Sequence, residues 1–176
     1  MKAGLALFVG LALGDYGGAA KAQTPFASRA EAEGYIAKAL PKATADNPKY
    51  LTKSDGVVSR WLTQDIRFTA GPDGATRVVM RENYTQEKAG KTTPGRHEAE
   101  FSLDEVEITE FAELGDVTPK GDASRGLMFT CKAPGCVAAK WDEHASRADR
   151  TDISVQDDAA RAKLLAAFRY LQTERP

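Results

Sequence analysis

From Val57 to Val155, short runs with apolar side chains at every second position are separated by turn residues, and after Asp157 the period changes to that of a helix. An extended backbone sends successive side chains to opposite faces, so such runs make strands with one buried face. Leu62, Ile66 and Phe68 share one parity, whereas Trp61, Thr63, Asp65 and Arg67 share the other. Val78, Met80 and Tyr84 continue the alternation; His97, Ala99, Phe101 and Leu103 then alternate with Glu98, Glu100 and Ser102. Val106 and Ile108 follow, with Glu105, Glu107 and Glu110 expected outward. Gly71-Pro72-Asp73-Gly74 and Ala89-Gly90 mark reversals, and the polar stretch from Gly115 to Ala123, with Pro119 and Gly121, reads as a loop.

The stretch from Arg125 to Leu171 organises the rest. Leu127, Phe129 and Cys131 share parity, Pro134-Gly135 is turn chemistry, and Val137, Ala139 and Trp141 fall on one parity afterwards. This spacing predicts a two-stranded hairpin with Cys131 facing Cys136, and Trp141 in the core. Ile153 and Val155 predict one more short strand. Asp157 and Asp158 can accept the orphan N–H groups of a helix start. In that helix Ala160, Leu164, Ala167, Phe168 and Leu171 form one apolar stripe, with Arg161, Lys163 and Arg169 mostly off it. Burying Leu164, Phe168 and Leu171 contributes about 5–9 kcal/mol gross, an upper bound because unfolded chains already hide some area.

The opening residues suggest an address. Met1-Lys2 precedes an apolar run from Ala3 to Leu13, too short to span a bilayer, and Ala20-Lys21-Ala22 supplies a small-residue cleavage site. Cleavage after Ala22 is expected, with the protein in the periplasm or secreted. Loss of residues 1–22 removes Lys2, Asp15 and Lys21 and leaves 154 residues of net charge −2, enough for one domain. A near-neutral chain lacks the basic footprint of a nucleic-acid binder, and no later segment is apolar for long enough to cross a membrane. In an oxidising compartment Cys131 and Cys136, the only cysteines, are expected to form a structural disulfide. Closing so short a loop adds about 2 kcal/mol in the chain-entropy model.

Ser28 with Glu31 three residues later is a capping box, and Ala32, Ile36, Ala39 and Leu40 line one side of a helix ended by Pro41. Lys42 to Asp55 reads as a polar connector. The chain thus divides into a signal peptide (1–22), an N-terminal helix and connector (23–55) and a β domain with a C-terminal helix (56–174). The class is α+β, with about seven antiparallel strands.

Seven strands followed by one helix resemble the pleckstrin-homology-like (PH-like) barrel, a strongly bent sheet closed at one end by a C-terminal helix. The chain also resembles small secreted bacterial proteins of unknown function. The likeness covers roughly residues 56–172 and rests on FSLDEV at Phe101 to Val106, FTCKAPGC at Phe129 to Cys136 and DDAARAKLLAAFRYL at Asp157 to Leu171. It implies a binding module with a plugged β structure and supplies no catalytic residues.

The search for chemistry is mostly negative. His97 and His144 match no metal-ligand spacing, there is no G-x-S-x-G elbow, and no phosphate-binding glycine loop occurs. The acidic run Asp104, Glu105, Glu107, Glu110, Glu113 and Asp116 reads as the solvated face of a strand rather than a pair of catalytic carboxylates. The first β turn, Ala70 to Ala75, carries Asp73 and no base, and flanking Arg67, Arg77 and Arg81 depart from the K-x-[KR]-x-R arrangement. Phosphoinositide binding is therefore not expected. No cofactor, metal or catalytic residue is assigned. The leading expectation is a non-enzymatic, exported binding or interaction domain with a protein or small-molecule partner. The alternatives are a hydrolase whose site, built on a carboxylate with His97 or His144, is assembled from distant residues, and a cell-envelope structural subunit.

Overall fold

The computed structural model describes residues 26–40, 50–54, 57–71, 73–117 and 123–174. The expected signal peptide lies outside the described residues. Helix α1 (Arg29–Ala39) is followed by strands β1 (Tyr50–Ser54), β2 (Val57–Ala70), β3 (Thr76–Lys88) and β4 (Lys91–Ser102). A single 3-10 turn (Leu103–Glu105) leads to β5 (Val106–Val117), β6 (Ala123–Cys131), β7 (Val137–Trp141), β8 (His144–Ala148) and β9 (Arg150–Ser154), and helix α2 (Asp158–Thr173) follows.

All pairings are antiparallel, in the order β8-β7-β4-β3-β2-β1-β5-β6-β9. The ladder falls into two parts, β8 to β1 and β5-β6-β9, joined by one paired position, Leu51 opposite Val117. The outer strands β8 and β9 are not paired with each other, so where a bent sheet or barrel of about seven strands is expected, the described strands form an open ladder of nine and no closed barrel. One added strand, β1, lies in the segment read as a polar connector. The other, β8, is almost entirely exposed, so it has no buried face to betray it as a period-two pattern.

The cysteines do bond, at an S–S distance of 2.05 Å, but not across a hairpin. β6 pairs with β5 and β9, while β7 pairs with β4 and β8. The loop between them is a corner where the chain passes from one part of the ladder to the other. Asp149 makes the return crossing. Its carbonyl accepts from the Cys131 N–H at 2.8 Å and its carboxylate from the Gly135 N–H at 2.7 Å. β8 and β9 are accordingly two halves of one strand bent at Asp149, one half on each part.

The inner faces share one core. Phe101 of β4 meets Phe129 of β6 at 5.0 Å between ring centroids, and Phe168 of α2 lies 5.0 Å from Phe129 and 6.2 Å from Phe68 of β2. Leu164, Ala167, Phe168 and Leu171 are buried, which is the stripe read from the sequence. Asp157 caps the helix by accepting from the Ala160 N–H at 2.7 Å. Arg161, expected off the stripe, is also buried: it donates to Glu110, Asp158 and the Val155 carbonyl and thereby ties the first turn of α2 to β5.

α1 docks on α2 and β2. Ser28 accepts from the Glu31 N–H, as the capping box requires, and Ala32 and Ile36 are buried. Lys163 lies 4.5 Å from the Tyr35 ring centroid, and Arg29 donates to Thr76, whose hydroxyl donates to the Leu171 carbonyl. Tyr35 titrates above its ordinary range, first because of burial and then because of the Asp157 charge.

Candidate ligand-binding site

α1 packs on α2 and β2 and α2 on β5 and β6, and β2, β3, β4 and β7 carry a polar and aromatic patch. Backbone register builds it. Glu82, His97 and Trp141 stand directly opposite one another across β3, β4 and β7, and Trp61 and Tyr84 are paired across β2 and β3 in the adjacent row. Directly opposed side chains on one face are the closest neighbours a sheet offers.

Trp61 reaches this face through a bulge. The β2–β3 register shifts between Trp61 and Thr63, so Leu62 is an extra residue and parity inverts. Trp61 thus shares the inner face with Ile66, where strict alternation placed it on the opposite one. Trp141 was expected in the core and is instead 40% exposed, the one large apolar side chain so exposed among the described residues. It sits where β7 ends, beyond the cover of α2, so one side packs and the other meets solvent.

The aromatic contacts are specific. The His97 ring stacks on Trp141 with centroids 4.1 Å apart and planes at 26°. Trp141 meets Trp61 edge-on at 5.7 Å and Tyr84 at 5.8 Å, and Trp61 lies 5.1 Å from Tyr84. Edge-on and offset contacts are the favoured arrangements of aromatic quadrupoles. His97 Nδ1 is 3.3 Å from the buried Glu82 carboxylate. Asp142, in the β7–β8 turn at φ +50°, accepts from the Tyr84 hydroxyl at 3.1 Å and from the Arg96 N–H at 2.8 Å. Burial first, and then the hydrogen bond and charge of Asp142, raise the Tyr84 phenol above its usual titration range.

A cavity of about 150 Å³ opens beside this patch, between β7 and the bent β8–β9 strand. It is lined by Trp61, Glu82, His97 and Trp141 of the patch, by Val137, Ala139 and Ala148, and by Arg150, Thr151 and Asp152 of β9. Among the described residues no three His, Cys, Asp or Glu side chains group as a metal site. No described helix is long and apolar enough to cross a membrane.

The two histidines part company. His97 joins the patch, whereas His144 is exposed at the start of β8. Glu105, Glu107 and Glu110 face solvent, with Glu110 pairing Arg161 at 2.9 Å. The side chains of Glu113 and Asp116 are outside those described. The disulfide Cys131–Cys136 closes the corner loop next to Val137, which lines the cavity. Sequence reasoning missed Glu82, although the signal is present: it holds the parity of Met80 and Tyr84, an acid at a position the pattern reserves for buried side chains.

No protein-family model matches this chain, and neither a curated protein nor a solved structure does.

Proposed function

We propose that the protein is an exported binding module that takes a small ligand at the aromatic end of its curved sheet and makes or breaks no bonds. The observation that carries this reading is Trp141, 40% exposed, stacked on His97 and flanked by Trp61 at the mouth of a cavity. Small concave sites lined by aromatic rings with a few converging polar groups are where folded chains bind small molecules. The disulfide supports export, since such bonds persist in oxidising compartments. The PH-like likeness is part of the same proposal, supported by α2 following the strands and filling the concavity. Tryptophan fluorescence read against a small-molecule panel tests it. A ligand that shifts the emission of the native protein and not of Trp141→Ala is the expected result; a panel that leaves emission and thermal unfolding unchanged overturns it.

One observation favours a hydrolase instead: the His97–Glu82 pair at 3.3 Å, with Thr151 also lining the cavity. A histidine held by a carboxylate is the base half of a triad. Turnover of a chromogenic ester, abolished in His97→Ala, would replace the binding reading.

A further inference from the structure

We infer that the cavity between β7 and β9 selects a small organic cation of the quaternary ammonium class. This deepens the binding-module reading and rests on it. Three features of the site point the same way. The first is ring chemistry: the Trp61 and Trp141 rings line the cavity, and an aromatic face presents negative potential to a cation. The second is charge. Glu82 is buried and Asp152 half-buried among the residues that line the cavity, whereas Arg150, on the same strand as Asp152, is exposed. Glu82 is the more deeply buried of the two carboxylates, and Coulomb attraction to a cation is least screened where water is excluded.

The third feature is size. A cavity of about 150 Å³ matches the volume that holds a benzene-sized guest in a protein interior, which suits a trimethylammonium head. The weakly hydrated methyl groups of such a head suit the apolar lining residues Val137, Ala139 and Ala148. A compact ammonium ion gives up more hydration on entering.

The test compares choline with 3,3-dimethylbutan-1-ol, its neutral isostere in which carbon replaces the charged nitrogen. Tryptophan emission and calorimetry are read on the same samples. The expected result is that choline and tetramethylammonium bind, and that the neutral isostere binds at least about tenfold more weakly. Glu82→Gln is expected to weaken choline by a similar factor. Should Glu82→Gln fail to fold, Asp152→Asn and Trp141→Leu carry the same comparison, with circular dichroism confirming the fold. Choline as the headgroup of phosphatidylcholine vesicles is run in parallel, and binding of either form upholds the site. Equal binding of choline and its isostere overturns the cation assignment and leaves a binding site standing. Absence of any emission change or heat with all of these ligands overturns it as well, and if the wider panel is also silent the binding-module reading falls with it.

Discussion

Tyr84 of β3 lies across Gly95 of β4, its partner in the ladder, so closely that a Cβ on Gly95 would stand 2.2 Å from the ring carbon Cζ. The absent side chain lets the ring lie over the neighbouring strand, where it reaches both Trp61 and Asp142. Gly95→Ala is therefore expected to push the ring off its strand, break the hydrogen bond to Asp142 and loosen the indole cluster. Overpacking of this kind costs about 1–3 kcal/mol. Denaturant unfolding should show that loss together with a changed tryptophan emission in the native baseline; an unchanged baseline contradicts the assignment.

The same phenol sets an alkaline limit. Its folded-state titration is raised by burial and by Asp142, so above about pH 10 the unfolded chain loses the proton first. Stability from this group is complete below that point and is lost as pH rises through the folded-state value. Tyr84→Phe should flatten the alkaline limb of a stability profile, measured by chemical unfolding at successive pH values. A limb of unchanged slope would show that other groups dominate it.

Arg161 gives a prediction at the acid side. Burial opposes its charge, yet Glu110 and Asp158 outweigh that and hold it protonated, while Arg161 in turn lowers the Asp158 titration. A depressed carboxylate stabilises above its ordinary value of about 3.9 and loses that contribution as pH falls through the folded-state value. Arg161→Met keeps the buried stem but leaves the Val155 carbonyl without its side-chain donor. We expect a loss of about 1–3 kcal/mol near neutral pH, with a shallower acid limb. Thermal unfolding of the variant at neutral and acid pH checks both.

Replacing both cysteines by serine, or reducing the bond, should destabilise the fold by about 2 kcal/mol, the chain-entropy value for so short a loop. The effect should concentrate at the corner. Hydrogen exchange at the Cys131 and Gly135 amides, both donors to Asp149, should quicken more than exchange in the β2–β3 pair.

Much of the architecture was legible in the chain because burial writes itself as a period. The α2 stripe, the Ser28 cap, the reversal at Ala89-Gly90 and the inner faces of β3 to β6 all follow from spacing alone. What failed to show depends on departures from period or on long-range partners. A single extra residue at Leu62 turned Trp61 to the inner face, and no local signal distinguishes a bulge from ordinary alternation. Cys131 and Cys136 suited a hairpin, yet their strands found partners elsewhere, because pairing is chosen by the whole inner face and not by the intervening loop. The candidate site was only half visible: His97 and Tyr84 lay on the expected face, while Glu82 was concealed by its charge and Trp141 was assigned to a core that ends one row earlier.

The late position of α2 bears on how the molecule matures. The α2 side chains of the shared core are translated after all nine strands, and β9, which completes the pairing of β6, immediately precedes them. A nascent chain therefore exposes greasy inner surface and a bare β6 edge until these segments leave the ribosome. Assembly has to wait for them, and a polypeptide held open in this way is one that can be threaded through a narrow conduit before it closes.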